Sequence, residues 1–285
     1  MTPTALERAL PVGGSASIAY ADPFNPGRKL VLECHRPANH APDRPVVIVQ
    51  HGMNRNGSEY RDAWVPTADR HGLLIVAITF PSGEWPGSNP YNNGLVRADD
   101  GSVRPPEAWT YAIPGRIFVL LRAAGITTRD KAYLWGHSAG SQFVHRLLAT
   151  QPHGLFEAVG TANAGWYSLP TLERAFPDGL GGIGLAPNDI ERFFAYPLTI
   201  FAGDRDIDST ADNLPKHDAA MAQGPHRFAR AHHFLKQGRA EATARGVACN
   251  WRLVVVPGVG HEGMRMSAFS AAYWFENEGQ HSTAR

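Results

Sequence analysis

The chain has 285 residues, with 27 Lys+Arg against 26 Asp+Glu and a formal net charge of +1 at pH 7. At 43% hydrophobic and 19% charged residues, the composition excludes a disordered chain. The near-neutral balance, with no basic run, gives no reason to expect nucleic acid or an acidic membrane as partner.

Strand-like and helix-like segments alternate along the chain. This is the pattern of an α/β fold, a mostly parallel, doubly wound sheet with helices on both faces. Residues 16–20 and 29–34 come first with no helix between them, and read as an antiparallel edge hairpin around Pro23 to Gly27. Short apolar runs follow at 45–50, 73–79, 131–135, 158–162, 198–202 and 251–256, as expected of strands buried on both faces. Helices are predicted at 59–71, 114–124, 141–150, 225–245 and 268–276. The length suits one large domain over 1–285.

Two stretches break the rhythm. Residues 81–113 carry Trp85, Tyr91, Trp109 and Tyr111, and residues 164–196 carry Trp166, Tyr167, Phe176, Phe193 and Phe194. Long insertions after strand C-terminal ends are where open α/β sheets place ligands, so both are expected to wall or cap a substrate site, with Trp85, Trp166 and Tyr167 as contacts. Within the second, Gly179 to Gly184 matches G-x-G-x-x-G, but it follows Phe176-Pro177-Asp178 instead of a strand. It reads as a flexible segment, not a dinucleotide site.

Cys34 and Cys249 are too few for a disulfide scaffold, and their spacing leaves open whether they pair. Residues 1–14 lack a basic region followed by a long apolar one, so a cytoplasmic protein is expected, although a secreted mature chain would read the same. No apolar run approaches the ~20 residues that span a bilayer.

The chemistry concentrates at three places. Gly136-His137-Ser138-Ala139-Gly140 is a G-x-S-x-G motif between an apolar run and a helical segment, the context that turns it into a nucleophile elbow. The strand at 198–202 runs into Gly203-Asp204-Arg205-Asp206-Ile207-Asp208, offering three carboxylates. They are not a calcium loop, because Ser209 and Pro215 occupy the positions of the required Gly and Glu. The strand at 251–256 ends in Pro257-Gly258-Val259-Gly260-His261, which presents one histidine. His51-Gly52-Met53 follows the buried run at 45–50.

Through His51-Gly52, the elbow at 136–140, Gly203 to Asp206 and Gly260-His261, the chain from about residue 15 to 276 resembles the α/β-hydrolases. Within them it is similar to the serine esterases grouped with polyhydroxybutyrate depolymerases and feruloyl esterases. The resemblance implies about eight strands and a catalytic triad of Ser138, Asp206 and His261, with Asp204 and Asp208 as competing acids. It implies an oxyanion hole from the Ala139 and Met53 amides, with Gly52 letting the backbone bend toward the substrate. The implied activity is hydrolysis of carboxylic esters of small molecules through an acyl-enzyme, with no cofactor and no metal. The same triad serves an amidase, peptidase or acyltransferase, and a binding protein on this fold would have lost a triad member. Oligomeric state and the identity of the ester are not legible.

Overall fold

The structure is a computed structural model, and it describes residues 1–151 and 154–276. Its strands are β1 (Gly14–Ala21), β2 (Lys29–Arg36), β3 (Val46–Gln50), β4 (Leu74–Thr79), β5 (Ala132–His137), β6 (Phe156–Ala162), β7 (Leu198–Gly203) and β8 (Arg252–Val256). They form a single eight-stranded sheet in the order β1-β2-β4-β3-β5-β6-β7-β8. The β1–β2 and β2–β4 pairings are antiparallel and all the others parallel.

The strands β3, β4 and β7 are buried at every position and mostly apolar, because both faces of the sheet are covered. Side chains alternate across the pleat. Val47 and Val49 of β3, with Ile75 and Ala77 of β4, meet Trp64 of α2 (Gly57–His71) and Met266 of α8 (Gly263–Phe275). Ile48, Val76 and Leu134 point the other way. There they join a core built with α3 (Ile113–Ala123), α4 (Ala139–Thr150), α5 (Pro187–Ala195) and α7 (Arg227–Ala244).

All eight expected strands are present, and all five expected helices match α2, α3, α4, α7 and α8. Three further helices were not expected: α1 (Pro3–Ala9), α5 and the four-residue α6 (Asp218–Met221). Helix α8 starts earlier than expected, because Gly263 at its first turn carries no helical signal. Cys34 on β2 and Cys249 just before β8 are both free thiols near opposite ends of the sheet. The Gly179 to Gly184 segment is a packed turn in place of the flexible one expected: an added Cβ at Gly181 would lie 2.2 Å from the Leu172 carbonyl oxygen.

Parallel register brings the C-terminal ends of β3, β5, β6, β7 and β8 to one edge. Every candidate catalytic segment leaves the sheet there.

Candidate active site

Ser138 sits between β5 and α4 with φ 56° and ψ −114°, a left-handed backbone that a residue with a side chain adopts only under strain of about 1–3 kcal/mol. Packing enforces the turn. A Cβ on Gly136 would lie 2.3 Å from the Gly140 carbonyl oxygen, and one on Gly140 would lie 2.2 Å from that of Gln50. Strand, helix and the end of β3 therefore touch backbone to backbone. The Ser138 amide donates to the Ala162 carbonyl at 2.9 Å, which fixes the elbow to β6.

The serine is joined to two distant residues. His261 Nε2 lies 3.0 Å from Ser138 Oγ, and His261 Nδ1 lies 2.7 Å from Asp206 Oδ2. The acid side chain is sealed, at 2% exposure, whereas the histidine side chain keeps 22% and so reaches the solvent side. The other two carboxylates have different work. Asp204 Oδ1 accepts the Gly258 amide at 2.7 Å, and Asp208 Oδ1 accepts the Thr210 amide at 2.8 Å, so both cap turns.

Three residues brace this arrangement, and sequence reasoning missed them all. Asn163, just past β6 at φ 50°, accepts the Gly203 amide through Oδ1 and donates through Nδ2 to the Gly260 carbonyl, both at 2.9 Å. It ties the acid loop to the histidine loop. Arg227 is buried with NH1 3.5 Å from Asp206 Oδ1, and its NH2 donates to the Asn213 side chain at 2.7 Å. Tyr60 of α2 places its hydroxyl 2.8 Å from His137 Nδ1. The only sequence hint was the tolerance of asparagine for a left-handed backbone.

The turn after β3 is held by His51. The Phe80 amide donates to its Nε2 at 3.0 Å, so its proton sits on Nδ1 and is donated to the Gly52 carbonyl at 2.8 Å. Burial pushes this imidazole down to about 3, so it stays neutral. With the Gly52 carbonyl pinned, the Met53 N–H lies on the opposite side of the same planar trans peptide. The turn passes close to the nucleophile, since a Cβ on Gly52 would lie 3.7 Å from Ser138 Cβ.

His137 also stays neutral. Its pKa is driven down by burial and then by the neighbouring His261, whose ring centroid is 4.7 Å away. Its Nε2 has no hydrogen-bond partner among the described residues, an arrangement that costs on the order of 1–3 kcal/mol. His145 is structural: Nδ1 bonds the Ser141 carbonyl and Nε2 accepts the Ser168 amide.

A cleft of about 300 Å³ opens over Ser138 and His261, lined by Gly52, Met53, Asn54, Glu59, Asn213 and Met264 among others. Its lining contains one carboxylate, Glu59, and no lysine or arginine. Gly52 and Met53 line the cleft, and Met53 is 63% exposed. Ala139 opens α4 directly after the nucleophile. The predicted aromatic contacts are elsewhere. Trp85 and Tyr167 have no exposed surface: Trp85 packs on Phe80 with its indole N–H on the Lys29 carbonyl, and Tyr167 stacks on Phe234. Rings that large gain more from the core than from a solvent-lined wall. Trp166 is half-buried, with its indole N–H on Asp178. A larger apolar groove of about 560 Å³, between β1 and α3, contains none of Ser138, Asp206 and His261.

Arg146, two turns beyond Ser138 on α4, is fully buried, and among the described residues its hydrogen bonds go to neutral partners. Its NH1 donates to the Asn92 carbonyl and Asn93 Oδ1, its Nε donates to Ser168 Oγ, and its guanidinium faces the Trp166 ring. One side chain thus fastens both insertions to the elbow helix.

No protein-family model and no curated protein matches the chain. Solved structures are. LpqC, a poly(3-hydroxybutyrate) depolymerase from Bordetella parapertussis, is 49% identical over 97% of this chain and 95% of its own, with a TM-score of 0.94. Poly(aspartic acid) hydrolase-1 from Sphingomonas sp. KT-1 is 30% identical over 92% of this chain and 98% of its own, with a TM-score of 0.88. The siderophore hydrolase EstB from Aspergillus nidulans shares the fold at 16% identity, covering 94% of this chain and 97% of its own, with a TM-score of 0.55. Among the described residues, no helix is long and apolar enough to cross a membrane.

Proposed function

The chain belongs to the α/β-hydrolase superfamily of serine esterases, in the group of the poly(3-hydroxybutyrate) depolymerases, and is a carboxylic ester hydrolase; on that premise we propose that it works through an acyl-enzyme on Ser138 and acts on short, uncharged esters of 3-hydroxyacids. The unbroken chain from Asp206 through His261 to Ser138, at 2.7 and 3.0 Å, carries this reading.

Ser138 Oγ attacks the ester carbonyl while His261 Nε2 takes its proton. The carbonyl oxygen becomes the oxyanion and accepts the Ala139 and Met53 amides. Asp206 keeps the imidazole in the tautomer with the proton on Nδ1 and stabilises the imidazolium. The imidazolium returns its proton to the departing alkoxide, the C–O bond breaks, and the alcohol leaves. Water, deprotonated by His261, then attacks the acyl carbonyl and releases the carboxylic acid and Ser138. The two insertions, held to α4 by Arg146, form the walls beyond the cleft in this reading.

The 30% identical relative acts on poly(aspartic acid), which raises amide cleavage as a second reading. Glu59 argues against a polyanion here. A carboxylate in a cleft without lysine or arginine repels one, at about 1 kcal/mol for each charge several ångströms away in high dielectric.

The test is turnover of p-nitrophenyl butyrate by the wild type and Ser138→Ala, with a fluorophosphonate to label the nucleophile. Activity is expected in the wild type alone, with the label on Ser138. An active Ser138→Ala, or a label elsewhere, rejects the assignment. Methyl-capped 3-hydroxybutyrate dimers should outpace aspartyl oligomers, and the reverse order would reject the substrate class.

A further inference from the structure

The two segments expected to bind the oxyanion come from turns more than 80 residues apart, after β3 and after β5. Their spacing must match one carbonyl oxygen, yet no strand pairing sets it beyond Gln50 opposite Gly136. One oxygen does touch both. Tyr60 Oη lies 2.8 Å from Nδ1 of His137, the residue before the nucleophile. The Gly52 backbone lies against the same oxygen, since a Cβ on Gly52 would lie 3.0 Å from it. A Cβ on Gly263, two residues past His261, would lie only 2.4 Å from the same oxygen. The oxyanion turn, the elbow and the segment after the catalytic histidine therefore converge on a single hydroxyl.

A phenol has one proton, and Oη and His137 Nδ1 share one hydrogen bond of 2.8 Å. The hydroxyl thus joins Gly52, the residue before Met53, to His137, the residue before Ser138. Tyr60 itself is buried between α2 and the cleft floor, with its ring against Trp135 and His137, so it cannot swing away.

We propose that Tyr60 is a positioning residue of the oxyanion hole, its hydroxyl setting the separation of the Met53 and Ala139 amides. The inference rests on the proposed acyl-enzyme reading. It predicts an effect on the tetrahedral state and not on binding of the planar ester, because only the former carries the negative oxygen.

The experiment compares wild type, Tyr60→Phe and Gly263→Ala, each normalised to active sites titrated with fluorophosphonate. For Tyr60→Phe, kcat on p-nitrophenyl butyrate should fall about 10- to 100-fold, with KM within about twofold. Butylboronic acid, which forms a tetrahedral adduct on the serine, should lose affinity by a similar factor. A merely structural tyrosine would lower the melting temperature or the titratable fraction and leave kcat per site and boronate affinity unchanged. That result overturns the proposal. If Tyr60→Phe does not fold, Gly263→Ala decides. It keeps the phenol but puts a methyl 2.4 Å from Oη, and should reproduce the loss in kcat and boronate affinity. Wild-type values there would overturn it equally. Ser138→Ala separates the two levels. If it stays active, the acyl-enzyme reading fails; if it is dead while Tyr60→Phe matches wild type, only the role of Tyr60 fails.

Discussion

Replacing Gly140 with alanine tests whether close packing makes the elbow. The added Cβ would lie 2.2 Å from the Gln50 carbonyl oxygen and 2.6 Å from both Gln50 C and the His51 oxygen. Ordinary contact begins at 3.4 Å, so the helix start and the end of β3 must separate by 3.4 − 2.2 = 1.2 Å. Every atom met is backbone, so no rotamer change relieves the clash. Overpacking of this kind costs about 1–3 kcal/mol, or a melting-temperature drop of roughly 2–12 °C for a chain of this size. The same displacement moves the Ala139 amide away from the His51–Gly52 turn, and a 1 Å misplacement can cost about 100-fold in rate. Thermal unfolding and kcat on p-nitrophenyl butyrate report the two effects. Gly83→Ala, where an added Cβ meets nothing within 4 Å, is the control and should stay within about 0.5 kcal/mol of wild type. A Gly140→Ala enzyme with the control's stability and turnover would refute the argument that this glycine is required by contact.

Asn163→Ala removes both bonds that tie Gly203 to Gly260 and leaves two backbone groups unpaired. We expect a loss of roughly 2–3 kcal/mol in urea unfolding and about a 10-fold fall in kcat; wild-type turnover in a folded variant would show that the histidine loop holds itself. Stability should also fall in mild acid. His51, His137 and His145 are depressed chiefly by burial, His51 to about 3, so the unfolded chain takes up the protons first. Their contribution is complete above about pH 6.5 and is lost as pH falls toward the folded values, at about 2 kcal/mol for His51 between pH 7 and pH 5. Urea titrations at those two pH values measure it. His145→Gln, which can still bond the Ser141 carbonyl and the Ser168 amide, should remove one proton from the difference. An unchanged difference would show that His145 is not held neutral.

What the amino-acid order determines here is local. The apolar runs are strands because burial on both faces leaves no room for polar alternation, and all eight could be read without coordinates. Gly136 and Gly140 flank Ser138 because backbone meets backbone there, and that requirement is visible in five residues. Asp206 and His261 were legible because each follows a strand that parallel order must end at the same sheet edge. The bracing residues were not. Tyr60 on α2, Asn163 just past β6 and Arg227 on α7 are remote from one another in sequence, and their sequence neighbours do not mark them. The aromatic insertions misled for the complementary reason. Composition says that Trp85 and Tyr167 must be buried against something, but only packing chooses between a substrate and Phe80 or Phe234. Propensity and pattern act over a few residues, so they dictate elements and turns. Which side chains close the gaps between those turns depends on contacts between segments remote in sequence, which exist only once the sheet has assembled.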